Sequence, residues 1–181
     1  MKNDYSIFVS SVDELKNLRH LAILSMLTAL CVILGFFQLQ LGDFMSISFG
    51  FLAVGMMGEI FGPAAACLGA GVSDLLSYFL HPSGAFFPGF TLSACIGGII
   101  YGFFLYKKRT LSFGRILLAM LTVGVFVNLF LNTLWLTILY GYGYIAMLPL
   151  RLLKECVTIP FNSLVFYLFN KPIVPVIKNL L

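Results

Sequence analysis

The stretch His81-Pro82-Ser83-Gly84-Ala85-Phe86-Phe87-Pro88-Gly89-Phe90-Thr91-Leu92-Ser93-Ala94-Cys95-Ile96-Gly97-Gly98-Ile99-Ile100-Tyr101-Gly102-Phe103-Phe104-Leu105-Tyr106 decides the fold class. It opens as an uncharged turn, punctuated by Pro82, Gly84, Pro88 and Gly89, and continues as an apolar run long enough to cross a hydrocarbon layer of about 30 Å. The turn is aromatic as well as stiff. Phe86, Phe87 and Phe90 offer flat faces, Thr91 and Ser93 offer hydroxyls, and the glycines admit close approach of backbone and ligand, so the stretch reads as one wall of a small-molecule site.

Composition extends that reading to the whole chain. Of 181 residues, 60% are hydrophobic and 10% charged, with a mean hydropathy of +1.01. A soluble domain of this size leaves too much surface exposed to hide such a composition. The apolar segments run about 17 to 25 residues without alternating polar and apolar positions, which selects helices over barrel strands. The expectation is an all-α integral membrane protein of six transmembrane helices forming a single membrane domain over residues 1–181. Its spans are about 21–37, 49–61, 64–80, 88–106, 116–140 and 151–169.

Residues 1–20 form a polar cytoplasmic leader, within which Ser11-Val12-Asp13-Glu14 has the form of a capping box, predicting a helix that starts there and runs into the membrane. No cleavable signal is expected, because the first long apolar run begins only near Leu21. That span carries Ala22, Ser25 and Ala29 at helical spacing, a small-residue face that lets another helix come close, inside this chain or on a second protein. Gln38 to Ser48 reads as a mixed loop. Gly62-Pro63 breaks the second span from the third, and Ala94, Gly98 and Gly102 mark tight helix contact on the fourth. Pro172 and Pro175 are expected to end the last helix.

Six spans put both termini on one side. Nine basic residues (Lys2, Lys16, Arg19, Lys107, Lys108, Arg109, Arg115, Lys171 and Lys178) then lie with the termini, and two, Arg151 and Lys154, lie opposite. The positive-inside rule makes the termini cytoplasmic. The net charge of +4 thus marks topology, and no nucleic-acid partner is expected. Gln38–Ser48, His81–Pro88 and Gly141–Pro149 become outer loops able to frame one site.

Arg151 and Lys154, three residues apart, share a helix face that Thr158 and Asn162 continue. Two cations at the outer rim suit a carboxylate-bearing ligand; the alternative is interfacial snorkelling with Glu155 pairing Arg151. Asn128, Asn132 and Trp135 form a stripe at i, i+4 and i+7. Their amides either bond across helices or line a cavity for a heterocycle, which Trp135 would stack upon. Asp74, beside the opening stretch, is placed to accept hydrogen bonds from a ring amino group, whereas Glu59 is expected near cytoplasmic interfacial water. The cysteines Cys31, Cys67, Cys95 and Cys156 lie singly in four segments and read as small core residues. There is no phosphate-binding loop, no zinc-protease motif and no nucleophile–base constellation, so catalytic residues, metal ligands and cofactors are not expected. A stand-alone secondary carrier remains an alternative, although no proton relay or inverted halves are evident.

The run Phe87-Pro88-Gly89-Phe90-Thr91-Leu92-Ser93-Ala94, preceded by Pro82-Ser83-Gly84, together with Phe61-Gly62-Pro63 and Asp74 eleven residues on, resembles the folate-type substrate-binding (S) components of energy-coupling factor (ECF) vitamin transporters. The resemblance spans essentially all six helices and is strongest from Ile47 to Tyr106. It implies a bacterial cell-membrane protein that captures folate, or a related vitamin such as pantothenate or pyridoxine, from outside. It also implies partners: a transmembrane coupling protein and two ATP-binding-cassette ATPases, which would supply the nucleotide chemistry absent here. The Ala-x-x-x-Ala face usual on the first helix of such proteins is represented by Ser25 and Ala29, and the resemblance makes Ala22, Ser25 and Ala29 a partner-docking face. For folate it implies that Asp74, Phe87, Thr91, Asn128, Asn132 and Trp135 serve the rings and that Arg151 and Lys154 serve the carboxylates.

Overall fold

The computed structural model describes residues 2–40, 46–81, 86–107, 111–141 and 143–179. Residues 41–45 and 82–85 of the expected outer loops, and 108–109 of the basic group, fall outside them. Among the described residues the regular structure is helical apart from one short hairpin. Helix α1 (Lys2–Glu14) and helix α2 (Leu18–Phe36) are followed by strands β1 (Gln38–Gln40) and β2 (Ser46–Ser48), which pair antiparallel with Gln38 opposite Ser48. Then come α3 (Gly50–Phe61), α4 (Pro63–Leu80), α5 (Pro88–Leu105), α6 (Phe113–Thr122), a π-helical segment (Val123–Leu131), α7 (Asn132–Tyr140) and α8 (Tyr144–Asn179). The expected mixed loop at Gln38–Ser48 is thus in part a hairpin.

Among the described residues, five helical stretches are long and apolar enough to cross a membrane: Leu18–Phe36, Pro63–Leu80, Pro88–Leu105, Phe113–Tyr140 and Tyr144–Ile177. The remaining apolar helix, α3, has 12 residues, about 18 Å at 1.5 Å per residue. It is the hub of the bundle. Ala53, Met57 and Phe61 have almost no exposed surface, and Phe166 of α8, itself fully buried, lies against Gly55. Apolar side chains cover much of the outside instead, among them Met26, Phe79 and Ile145, each more than 70% exposed, as a lipid-facing surface requires.

The joint between α3 and α4 is built from both ends of the sequence pattern. Gly62 takes φ +87°, a conformation that a β-carbon disfavours, and Pro63 starts α4 at a position that needs no amide donor. Gly102 of α5 presses on this turn so closely that an added methyl would meet the backbone of Pro63 and Gly62. Gly98 lies in the same way against the Ala66 carbonyl, so the glycine spacing on α5 is helix contact. Ser11 completes the joint. Fully buried, it donates to the Phe61 carbonyl at 2.6 Å and accepts from the Ala64 and Ala65 amides at 3.0 and 3.3 Å.

Ser11 therefore corrects the capping-box reading. Its hydroxyl caps α4, across 53 residues, and α1 ends near the place where a helix was expected to begin. The next helix starts at Leu18, with Asn17 accepting from the Arg19 amide at 3.1 Å. Around it several polar side chains meet. His20 Nδ1 lies 2.6 Å from Glu14 Oε2, Tyr106 donates to Glu14 at 3.2 Å, and Asn170 donates to Glu59. Glu59, expected to meet interfacial water, is 6% exposed and held by Asn170.

Helix α8 also departs from expectation, running 36 residues through Pro149, Pro160, Pro172 and Pro175. Proline removes one backbone donor, but in an apolar bundle the competing conformation would expose still more unpaired backbone, so the helix continues past it.

Candidate functional site

Two helices, α4 and α8, each give the cavity a wall of one polar stripe. Helix α4 contributes Ala70, Ser73, Asp74 and Ser77, spaced i, i+3, i+4 and i+7, and α5 contributes Phe90, Ser93, Ala94, Gly97 and Tyr101. Helix α8 contributes Arg151, Lys154, Glu155, Thr158 and Asn162. The π-helical segment and the start of α7 supply Val123, Val127, Asn128 and Asn132, while Cys31, Gly35, Ser48, Gly50, Phe51 and Val54 close the side formed by α2, β2 and α3. The enclosed volume is about 530 Å³, within the range of about 300–1,000 Å³ common for small-molecule sites.

The stride of the fourth wall is a consequence of its backbone. In a π-helix each turn takes up more residues than in an α-helix, so Val123, Asn128 and Asn132 line up at steps of five and four. Asn132 Nδ2 donates to Asn128 Oδ1 at 3.4 Å. Gly124 lets α8 approach: a β-carbon there would lie 2.8 Å from Glu155 Oε2 and from Ile159 Cδ1. The Asn128 carbonyl accepts from Arg151 Nη1 at 3.1 Å. Arg151 thus bonds a backbone carbonyl, and the alternative Arg151–Glu155 salt bridge is not formed among the described residues.

Of the residues singled out from sequence, Asp74, Asn128, Asn132, Arg151 and Lys154 come together on the cavity wall. Thr91, Phe87 and Trp135 stand behind it. Thr91 Oγ1 donates to Asp74 Oδ2 at 2.7 Å, which fixes that carboxylate. Trp135 Nε1 donates to Ser93 Oγ at 3.0 Å, and its ring packs on Phe87 with centroids 5.5 Å apart. The i, i+7 relation of Asn128 and Trp135 assumed an α-helix; the π turns rotate Trp135 off the cavity face and onto Ser93. Ser73, Ser77, Glu155, Thr158 and Asn162 belong to the lining as well. The periodicity of Asp74 and Arg151 along their own helices is the signal that locates them.

Two cations, Arg151 and Lys154, and two carboxylates, Asp74 and Glu155, share this lining, so their formal charges cancel. Three buried polar atoms on it have no hydrogen-bond partner among the described residues: Asn132 Oδ1, Thr158 Oγ1 and Asn162 Oδ1. A buried unpaired polar group costs on the order of 1–3 kcal/mol, so these atoms call for a hydrogen-bond partner from outside the described residues. No group of three or more His, Cys, Asp and Glu side chains is placed to hold a metal ion among the described residues.

Ala22, Ser25 and Ala29 lie elsewhere, exposed on the outer face of α2 beside Leu18, Met26 and Ile33, with Ser25 donating to its own helix at the Leu21 carbonyl.

Comparison with known proteins places this geometry. A sequence model of the family "ECF transporter, substrate-specific component" matches residues 19–169. The chain is 46% identical over 121 residues to the folate transporter FolT of Clostridium novyi (strain NT), covering 67% of this chain and 70% of that protein. It is 28% identical to the folate transporter FolT of Leuconostoc mesenteroides, covering 86% and 87%. Among solved structures, FolT bound with folic acid superposes with a TM-score of 0.78 at 37% identity, covering 86% of this chain and 95% of that one. The S-component for biotin of an ECF-type ABC transporter shares the fold, with a TM-score of 0.61 at 21% identity, over 83% and 90% of the two chains.

Proposed function

The chain belongs to the family of ECF transporter substrate-specific components, and from that premise we propose that it captures folate on the outer side of a bacterial cell membrane and delivers it inward when docked to its transport module. The family is one of transport components, not of enzymes. The observation that carries the reading is the cavity of about 530 Å³, where two cations and three unpartnered polar atoms face one another inside a fold shared with FolT bound with folic acid.

In this reading Arg151 and Lys154 hold the glutamate carboxylates by charge-assisted hydrogen bonds. Asp74, oriented by Thr91, and the Asn128–Asn132 pair meet the ring system, while Phe87 and Trp135 stiffen the wall behind Ser93. The chain forms one membrane domain that crosses six times, with α3 as a short passage and the termini in the cytoplasm, where the nine basic residues gather. The exposed Ala22-Ser25-Ala29 face of α2 is the surface for a transmembrane coupling protein, to which two ATPases would be attached.

Calorimetric titration of folate into the purified chain in detergent tests the proposal, with pantothenate and pyridoxine as comparators. Saturable one-to-one binding of folate at nanomolar strength, about −12 kcal/mol, is expected. Binding of a comparator in place of folate overturns the substrate, and binding of none of them overturns the capture role.

A further inference from the structure

Ser25, Thr28, Thr122, Thr137 and Ser163 each donate to the carbonyl four residues back, the register of an α-helix. Thr133 does not. Fully buried, it donates across five residues to the Asn128 carbonyl at 3.5 Å, and the Asn132 amide bonds the Val127 carbonyl, again five residues back. The amide that an α-helix would return to Asn128 is thus diverted. Its place at the Asn128 carbonyl is taken by Arg151 Nη1 of α8, at 3.1 Å.

A π-helix is rare and occurs mostly as a single turn, so nine residues of it, Val123–Leu131, need outside support. Helix α8 gives that support twice. At Gly124 it packs Glu155 and Ile159 into the space that a β-carbon would fill. At Asn128 the guanidinium occupies a carbonyl and so competes with the regular ladder, as an inserted side chain does. The two supports differ in what can undo them. Packing at Gly124 is fixed, whereas Arg151 lines the cavity, where a carboxylate offers the same guanidinium a charge-assisted bond stronger than that to a neutral carbonyl.

We propose that the turn at Asn128 is a register switch worked by Arg151. With the cavity empty, Arg151 on the Asn128 carbonyl holds the π register; a ligand carboxylate draws the guanidinium away, the Asn132 amide returns to Asn128, and that turn tightens to α. The ligand shifts the balance because only the tightened state leaves Arg151 free for it. The switch rests on the folate reading, which supplies the carboxylate, and adds a conformational consequence to binding. Trp135 lies three residues beyond Asn132, so the change of register passes to its bond with Ser93 and its contact with Phe87.

Amide hydrogen exchange over residues 128–136, together with the emission of Trp135, the single tryptophan of the chain, tests it on the full chain in detergent. Without any ligand, Arg151→Ala is expected to slow exchange in this turn by about tenfold and to shift the Trp135 emission, because the turn tightens once its carbonyl is released. An arginine that merely braces the bundle gives the reverse, since losing a brace loosens the helix. Faster or unchanged exchange in ligand-free Arg151→Ala therefore overturns the switch. Arg151→Met, which keeps the length of the side chain and removes its donors, decides the matter if Arg151→Ala does not fold. In wild type, saturating folate is expected to slow the same amides by a similar factor, and folate that binds without slowing them overturns the link to the ligand. A wild-type chain that binds no folate by calorimetry overturns the folate reading itself, and the ligand-free comparison separates that failure from failure of the switch.

Discussion

The two ends of this bundle treat buried polar groups in opposite ways. At the α3–α4 joint Ser11 makes three hydrogen bonds across the turn, Glu14 accepts from Tyr106, and Glu59 accepts from Asn170. In the cavity Asn132, Thr158 and Asn162 keep oxygens without partners among the described residues, and Arg151 spends its hydrogen bond on a backbone carbonyl of the π-helical segment. The difference teaches that polarity inside an apolar bundle can serve two purposes: closed clusters join helices, and open ones leave hydrogen-bonding capacity for a partner from outside the chain.

The hardest way to break the contrast is at the joint itself. Gly102→Leu drives a side chain into the backbone of Pro63, which has no flexible end to yield, and is expected to destabilise by about 3 kcal/mol or more, with loss of monodisperse protein and a lowered melting temperature in detergent. Arg151→Ala acts on the other end: folate affinity falls about ten- to a hundredfold by calorimetry, while the melting temperature without ligand barely moves. Should it instead unfold the chain, the cavity cations are structural and the contrast fails.

Ser11→Ala sharpens it from the opposite side. It removes the cap of α4 and is expected to cost about 1–2 kcal/mol of stability, read by thermal unfolding, with folate affinity unchanged. The smallest effect on the isolated chain belongs to Ser25→Leu. On the exposed face of α2 it leaves both melting and binding as they are, yet it blocks uptake in vesicles that contain the coupling protein and ATPases. Weakened folate binding in Ser25→Leu would show that the docking face and the cavity are not separate.

Much of the fold was legible because apolar length, glycine spacing and the Gly62-Pro63 break are local signals. The cavity was legible on two walls, through Asp74 and through Arg151 with Lys154. The bond of Trp135 to Ser93 was not legible, because a helical wheel assumes α geometry and nothing local in Val123–Leu131 announces a π-helix; its wide turns are supported by packing against Glu155 and Ile159 at Gly124. Ser11 was misassigned for a related reason, since a capping motif shows that a hydroxyl is available for a helix end but not which end it finds.

The sequence by itself determined that the chain is helical and apolar, that it breaks at Gly62-Pro63, and that Arg151 and Lys154 sit on one face of α8. Those properties depend on side-chain chemistry and on residues near in the chain. Only the tertiary structure decided that Ser11 closes the α3–α4 turn, that Asn128 lends its carbonyl to Arg151, and that Thr158 and Asn162 are left open. Whether a buried polar group is satisfied depends on which distant group the fold brings within 3.5 Å of it, a distance that no local pattern encodes.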